Sequence, residues 1–469
     1  MALIPSLSFG YGASSPDASS PKKVIIAGGG LAGLTCAYEL RKLGFQVVVL
    51  EGQGHPGGRV HTLREGFAPG LTAETGATRI PDTHDLTMSY IHEFGLPLDI
   101  LSGAGLAAVV HLRGQSYVVG RGPEPVWPLP LTPEERRLGR GGLFKRYFAD
   151  PLQQLKGKEN LPSVPEEILA LDHTTVVDYL RKEGLSEAAI QLMMGSRDNS
   201  TVSYALLLLI GFNSQVSKSY FHIRGGNDLL PSALALKLGD VVRYGCRVTS
   251  IGQDDQSAWA HVATATGQEA LRGDYVVSTL PFSVSRNLFA EAHLSAEKQR
   301  AIHDLQYAPL DKVFMQMRKQ FWKAQGKSGH ADTDLEPSDT FSAIGPESPD
   351  ERGLLLSTPA LQNARMLDRM EDAARIKVTL EDAERVFPGA RQHFETARVK
   401  SWALDPWQNG ALPKYDVGQL RFIAIGARRE GRISFAGEHT SRWNGWMQGA
   451  IESAHRVVKE IANRDSLSA

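Results

Sequence analysis

Lys23-Val24-Ile25-Ile26-Ala27-Gly28-Gly29-Gly30-Leu31-Ala32-Gly33 is the stretch that decides the fold, read together with Glu51 further on. Lys23–Ala27 is apolar and β-prone, and the glycines after it make a turn. Residues 34–43 then carry apolar side chains at helical spacing, and Gly44 follows as a C-cap. Gln46–Leu50 is a second apolar strand that ends at Glu51. Strand, turn, helix and strand in about 30 residues make a βαβ unit. Gly28, Gly30 and Gly33 fit the GxGxxG fingerprint. The first allows the tight turn, the second lets the backbone approach a pyrophosphate, and the third lets helix pack on strand. The helix N-terminus offers free N–H groups and a positive dipole end to phosphates, and Leu31 and Ala32, within the turn, are candidate cofactor contacts with the glycines. Glu51, about 20 residues on, stands where an acid bonds ribose hydroxyls. The competing reading is a glycine-rich turn without a ligand. The preceding strand, the following helix and the acid at the next strand end argue against it, so a dinucleotide site is expected.

Outward from this unit, the 469 residues are enough for two or three domains. Hydrophobic residues make up 42% and charged residues 22%, as in an ordinary globular protein. The 51 basic and 52 acidic residues nearly cancel, without a basic stripe, so neither nucleic acid nor an anionic membrane is an expected partner. Two cysteines, Cys36 and Cys246, make no disulfide framework and lack metal-site spacing, so no metal is expected. Residues 1–21 are rich in Ser, Pro, Gly and Ala, without a signal-peptide pattern, and read as a disordered tail. No apolar run has membrane-spanning length, and the last four residues are not a peroxisomal address. A cytoplasmic location is the expectation. The sequon Asn199-Ser200-Thr201 reads as chance.

Residues 109–119 read as a hairpin around Arg113-Gly114, and residues 133–204 as a helical insertion broken by Pro and Gly. Residues 241–252 and 274–279 are short strand patterns, residues 326–352 a long loop or hairpin, and residues 449–463 an amphipathic helix after a β-like segment at 432–436. Alternating β and α point to an α/β core with inserted segments.

Three later motifs narrow the ligand. Gly57-Gly58-Arg59 follows Glu51 and Gly52, and Arg59 can add a cationic contact to a pyrophosphate. Phe435-Ala436-Gly437-Glu438-His439 and Gly445-Trp446-Met447-Gln448-Gly449-Ala450-Ile451 lie near the end of the chain. With the segment from Glu51 to Arg59, these resemble, in order, the motifs of the flavin monoamine oxidase family. The resemblance covers nearly the whole chain after residue 21. It implies a non-covalently bound FAD, with Glu438 at the ribityl chain and backbone N–H groups of residues 446–451 at the flavin pyrimidine ring. It places Val248 at the adenine through its backbone. It likens residues 221–231 to the family's return strand and helix start, and residues 274–281 to the strand leading out of the flavin domain. The implied fold is α/β: a Rossmann-like FAD-binding domain (22–60, 226–300, 420–465), a mixed-sheet substrate domain (61–125, 301–419) and a helical domain (126–225).

Three positions bear on substrate. Glu74-Thr75-Gly76-Ala77-Thr78-Arg79-Ile80-Pro81 resembles the L-amino-acid oxidase segment that runs beneath the flavin. It ends in the Arg that clamps the substrate carboxylate, and a guanidinium fork suits that task. The competing reading pairs Arg79 with Asp82 or Asp85. In Trp402-Ala403-Leu404-Asp405-Pro406-Trp407-Gln408-Asn409-Gly410-Ala411-Leu412, Ala411 replaces the cysteine that binds flavin covalently in mitochondrial-type monoamine oxidases. Leu412 replaces the tyrosine of their aromatic cage, so Trp446 faces an aliphatic residue, as in L-amino-acid oxidases. Lys312, in Asp311-Lys312-Val313-Phe314-Met315, resembles the family Lys that holds a water at flavin N5; by sequence alone it is an ordinary strand Lys, more often exposed. One departure is the missing carboxylate-binding Tyr: residues 335–346 hold Ser338, Thr340, Phe341 and Ser342 instead, and Tyr415 is another stand-in.

The expected chemistry is FAD-dependent oxidative deamination of an L-amino acid by molecular oxygen, giving a 2-oxo acid, ammonia and hydrogen peroxide. Arg79, Trp446, Leu412 and Gly445 would hold the substrate, with Arg79, Trp446 and Lys312 as the catalytic set. The alternatives are a polyamine or monoamine oxidase, or an amino-acid monooxygenase, of the same fold, and a non-catalytic flavin scaffold. Family analogy implies a homodimer. No hydrolytic triad or His-Glu-x-x-His stands in the chain.

Overall fold

A computed structural model describes residues 21–101, 106–120, 122–158, 161, 163–195, 200–214, 217, 219–344 and 350–466. The tail at 1–20 and Asn199 of the sequon lie outside the described residues.

The βαβ unit forms as its pattern predicts: β1 at Lys23–Ala27, α1 at Leu31–Lys42 and β2 at Gln46–Leu50. The helix starts at the fingerprint itself rather than after it, with Gly30 as N-cap. Gly44 follows the last turn at φ +88°. β1 and β2 pair in parallel within a five-stranded sheet ordered Val242–Arg243, β2, β1, Tyr275–Ser278 and Ile433–Phe435. Parallel strands must bury both faces. Accordingly, Val24 and Ile26 pack with Leu34, Ala37 and Leu40 of α1 and with Ile451, Ala454 and Val457 of the last helix. Ile25 and Ala27 face the other way, toward Ala258, Ala260 and Val262. Each such Val, Leu or Ile side chain contributes roughly 1.5–3 kcal/mol by leaving water, and each alanine less.

Those last residues belong to a three-stranded antiparallel sheet, Arg247–Gln253, Ala258–Thr264 and Gly267–Gly273. The sequence reading predicts its first strand but neither of its hairpins. The buried positions are mostly alanine, a weak strand former, so the alternation carries little signal.

A mixed seven-stranded sheet runs in the order Phe394–Ser401, Asp311–Met317, Gly353–Ser357, Thr340–Ile344, Lys327–Thr333, Ala107–Leu112 and Gln115–Val119. Only Lys327–Thr333 and Ala107–Leu112 pair in parallel. The expected hairpin at 109–119 is its edge, turning on Arg113 at φ +50° and Gly114. The stretch expected to be a loop or hairpin, 326–352, supplies two antiparallel strands.

Among the described residues between Pro133 and Ser214, the regular elements are all helices. Thr132 and Glu135 close a capping box at the first helix, and Glu135 also accepts from Ser186 N and Oγ, at 2.8 Å each. The helix Tyr204–Ser214 is almost wholly apolar, as a helix buried among others must be. The last helix, Met447–Ser466, begins two residues before its expected start, inside the glycine-tryptophan motif. Among the described residues no helix is long and apolar enough to cross a membrane, and no cluster of His, Cys, Asp and Glu could hold a metal ion. Cys36 and Cys246 are buried free thiols.

Candidate active site

At one end of a cavity of about 960 Å³ stands the fingerprint turn. Gly28 holds φ +108°, and a Cβ there would come within 2.6 Å of Thr279 Oγ1. At Gly33 a Cβ would lie 2.0 Å from the Gly28 carbonyl, so the helix can approach the strand only without one. A Cβ on Gly30, by contrast, would meet nothing within 4 Å: it would stand in the cavity. Gly28, Gly30, Leu31 and Ala32 line that cavity, whereas Gly33 serves the packing beneath it. Glu51 is buried at the end of β2, its oxygens accepting from Gly29 N and Gln53 N at 2.8 Å. Burial pushes its carboxyl upward, and the backbone N–H groups oppose this. Gly52, Val248 and Gly58 complete this end, and Gly58 lies against Gly30.

Arg59 is fixed by partners far along the chain. Its Nη1 donates to Glu438 Oε1 at 2.7 Å and to the Ala411 carbonyl at 2.9 Å. Glu438 Oε2 accepts from Gly445 N at 2.9 Å. Arg59 and Glu438, expected at separate parts of a cofactor, thus form one ion pair beside the cavity.

The segment Gly76-Ala77-Thr78-Arg79 lines the next stretch of wall, held from below by Lys312. Lys312 Nζ donates to Glu74 O, Gly76 O and Thr78 Oγ1, each at 2.8 Å. It is 5% exposed, which settles the question its sequence context left open. Burial, with the Arg79 charge nearby, draws its pKa down to about 8, while Glu74 opposes the shift. Glu74 is itself pushed up to about 7 by burial. Arg79 is exposed at the cavity wall. It pairs with neither Asp82 nor Asp85: Asp85 accepts from Gln448 Nε2, and the Arg79 guanidinium lies 5.3 Å from the centre of the Tyr220 ring.

Trp446, Leu412, Gly445 and Ala411 close the far end with Ile210 and Leu310. A Cβ on Gly445 would touch Leu412 Cδ1 at 3.4 Å, so the leucine lies directly against the motif turn. The Trp446 ring meets the edge of His84 at 4.9 Å between centroids, and Trp443 flanks the same histidine at 5.2 Å. His84 is fully buried, its pKa drawn to about 3 by burial, so it packs as a neutral ring.

Met447 and Ala450 reach the cavity, whereas Gln448, Gly449 and Ile451 do not. Gln448 turns to the start of the helix Asp85–Glu93, where its Oε1 accepts from Thr87 N and Oγ1. Ile451 is core, and Gly449 fits tightly against the Trp443 carbonyl. Ser338, Thr340, Phe341 and Ser342 lie in or beside the large sheet and line no part of this cavity. Tyr415 is fully buried and donates to the His439 carbonyl at 3.1 Å, so it cannot replace the missing tyrosine.

Trp407 and Asn444 line the cavity without having been singled out by the sequence. Trp407 lies over Gly52, where a Cβ would be 2.3 Å from its ring. Only the bare glycine beneath it could have signalled this.

The cavity thus runs from a dinucleotide turn to an apolar end walled by Trp446 and Leu412, near the upper limit of ligand sites, about 1,000 Å³. The bare backbone at Gly30, the helix start and the buried Glu51 fit the phosphate and ribose groups of a long dinucleotide. The sequence profile described as flavin containing amine oxidoreductase matches residues 31–462. The chain belongs to this family. Its cofactor is FAD. An L-amino-acid oxidase of Demansia vestigiata is 27% identical over 462 residues, covering 96% of this chain and 88% of that protein. A flavin-dependent L-tryptophan oxidase of Lentzea aerocolonigenes is 29% identical, covering 95% of this chain and 98% of its own. Among solved structures, cyclohexylamine oxidase from Brevibacterium oxydans superposes with a TM-score of 0.78 at 21% identity, covering 95% and 100%. Putrescine oxidase bound to putrescine gives 0.77 at 19% identity, covering 94% and 99%. At those identities the structural likeness speaks for the fold.

Proposed function

We propose that this flavoenzyme oxidises L-amino acids to 2-oxo acids, releasing ammonia and hydrogen peroxide. The observation that carries the reading is Arg79: a cation at the cavity wall, without an ion pair among the described residues, in the same cavity as Trp446 and Leu412. An unpaired guanidinium suits a carboxylate through two parallel hydrogen bonds and repels the second ammonium of a diamine. Bound FAD supplies the redox chemistry, taking two electrons with the Cα hydrogen and passing them to oxygen.

The chain's own residues do the rest. Arg79 fixes the carboxylate while Trp446 and Leu412 confine the reacting carbon, which removes translational and rotational freedom before reaction. Lys312 keeps the 74–78 segment rigid beside the cavity through its three hydrogen bonds. With its pKa near 8, it can hold or release a proton close to neutral pH. Gly28, Gly30, Leu31, Ala32, Glu51, Gly52 and Val248 would hold the adenosine and pyrophosphate. Gly58, the Arg59–Glu438 pair, Gly76, Ala77, Met447 and Ala450 would hold the rest of the cofactor. Ala411 offers no thiol, so the attachment is non-covalent. The test is a peroxide-release assay across the twenty L-amino acids and a set of mono- and polyamines. Turnover of one or more amino acids with amines inert is expected; turnover of amines alone would sink the reading.

A further inference from the structure

The loop 402–411 has a second side. A small cavity of about 190 Å³ is lined by Arg286, Gln306, Arg365 and Asn409, and it shares Ser283, Ala403 and Asn409 with the wall of the flavin cavity. No acidic side chain lines it. Neither arginine has an ion pair among the described residues. Arg286 donates Nη2 to the Leu305 carbonyl at 3.2 Å, a neutral acceptor that leaves its charge uncompensated. The acids close in sequence to Arg365 and Asn409 are engaged elsewhere. Asp368, one turn beyond Arg365 on the helix Gln362–Asp368, accepts from Ser401 Oγ and lies 4.0 Å from Arg375. Asp405 accepts from Trp407 N and pairs with Lys400.

Two guanidinium charges beside one polar cavity without an acidic side chain lack a counter-charge there. An oxyanion supplies that charge and several acceptors at once. The volume excludes a nucleotide, since sites for ligands of that size begin at about 300 Å³. It suits an ion of a few heavy atoms with its waters.

The geometry points to a small-oxyanion site at Arg286 and Arg365, for phosphate or a simple carboxylate, that steadies the loop 402–411 from the side opposite the flavin. The loop is stiff at this point: Asn409 sits at φ +47°, its N–H donating to the Asp405 carbonyl at 2.8 Å, and Ser283 Oγ donates to the Gln408 carbonyl at 2.5 Å. An ion bound there stabilises the folded state by mass action and, through the shared wall, slows loss of FAD. The inference is independent of which amine the enzyme oxidises.

Isothermal titration of the FAD-loaded protein with inorganic phosphate, and separately with acetate, at ionic strength fixed by sodium chloride, tests it. One saturable site per chain that persists in Arg79→Ala is expected for at least one of the two, and which anion fills it names the class; acetate held by Arg79 itself is lost in that variant. Arg365→Ala, at an exposed position, should weaken that binding by about tenfold or more, the loss of one charged hydrogen-bonding partner. Arg286→Lys should weaken it as well, and Arg79→Ala should leave it unchanged. The bound anion should slow FAD release in urea for the parent but not for Arg365→Ala, whose flavin absorption should match the parent's. Three results would overturn the proposal: no saturable binding of either anion, parent-like binding by Arg365→Ala, or loss of binding with Arg79→Ala instead.

Discussion

Arg79→Ala separates an amino-acid oxidase from an amine oxidase, and the structure sets the size of its effect. The guanidinium is exposed, forms no ion pair among the described residues and touches aromatic surface only at Tyr220, 5.3 Å away. A cation–π contact at an exposed site is worth about 0.5–1 kcal/mol, so the fold and the flavin should survive its loss. The substrate loses more. Removing one partner of a desolvated charge pair costs about 2–5 kcal/mol, and Arg79, open to water before substrate arrives, belongs in the lower half of that range. Some 2–3 kcal/mol corresponds to roughly 30- to 150-fold in kcat/KM for the best L-amino acid. Steady-state peroxide release gives kcat/KM, with the decarboxylated amine of the same side chain as the paired substrate. Arg79→Lys should recover part of the loss, because an ammonium cannot make the two-pronged contact. If amino acid and amine lose activity equally, or if flavin content falls, Arg79 serves the cofactor or the fold and the carboxylate clamp is wrong.

Acid or heat should release all of the flavin as free FAD, because Ala411 offers no thiol; colour remaining with the precipitate would contradict the non-covalent reading. Glu51→Ala should raise the Kd of the apoprotein for FAD by about 10- to 150-fold, the equivalent of a 1.5–3 kcal/mol charged hydrogen bond, with substrate preference unchanged. An unaltered FAD titration would remove Glu51 from the ribose. Lys312 makes stability depend on pH. Its folded pKa, about 8, lies below the ordinary 10.5, so between those values the unfolded chain holds the extra proton and stability rises with pH. The gap is worth about 3 kcal/mol at 1.36 kcal/mol per pH unit. Denaturant midpoints measured from pH 7.5 to 10 should rise for the parent and stay flat for Lys312→Met once other groups are subtracted; parallel curves would place the shifted proton elsewhere.

What could be read in advance was what neighbours in sequence determine. The glycine fingerprint, α1, β2 and Glu51 lie within one short stretch, and their spacing alone dictates their geometry. The hairpin at Arg113-Gly114 is local in the same sense. Lys312 was harder, because its burial depends on a segment 238 residues earlier that brings carbonyls to its ammonium. The Arg59–Glu438 pair joins residues 379 apart, and two motifs recognised separately gave no hint that they pair with each other. Gln448 shows a different limit. The motif implied a backbone contact for it and said nothing of its side chain, whose amide turns toward Thr87 while Met447 and Ala450 line the cavity. Tyr415 was offered on chemistry alone, and its position in the core rules it out.

The clasp of Arg59 by Glu438 also sets a timetable for the ribosome. The two halves of the flavin cavity leave the exit tunnel 379 residues apart. At about 5–20 residues per second, roughly 20–80 s pass between them. Throughout that interval the N-terminal βαβ unit has its glycine turn and its ribose acid, but neither the strand Ile433–Phe435 nor the last helix that packs on α1. A nascent chain at that stage lacks the cavity walls supplied by Gly437, Glu438 and residues 444–447, so flavin capture is expected at the end of synthesis. Loss of the last thirty or so residues should yield a colourless protein, however intact its nucleotide fingerprint.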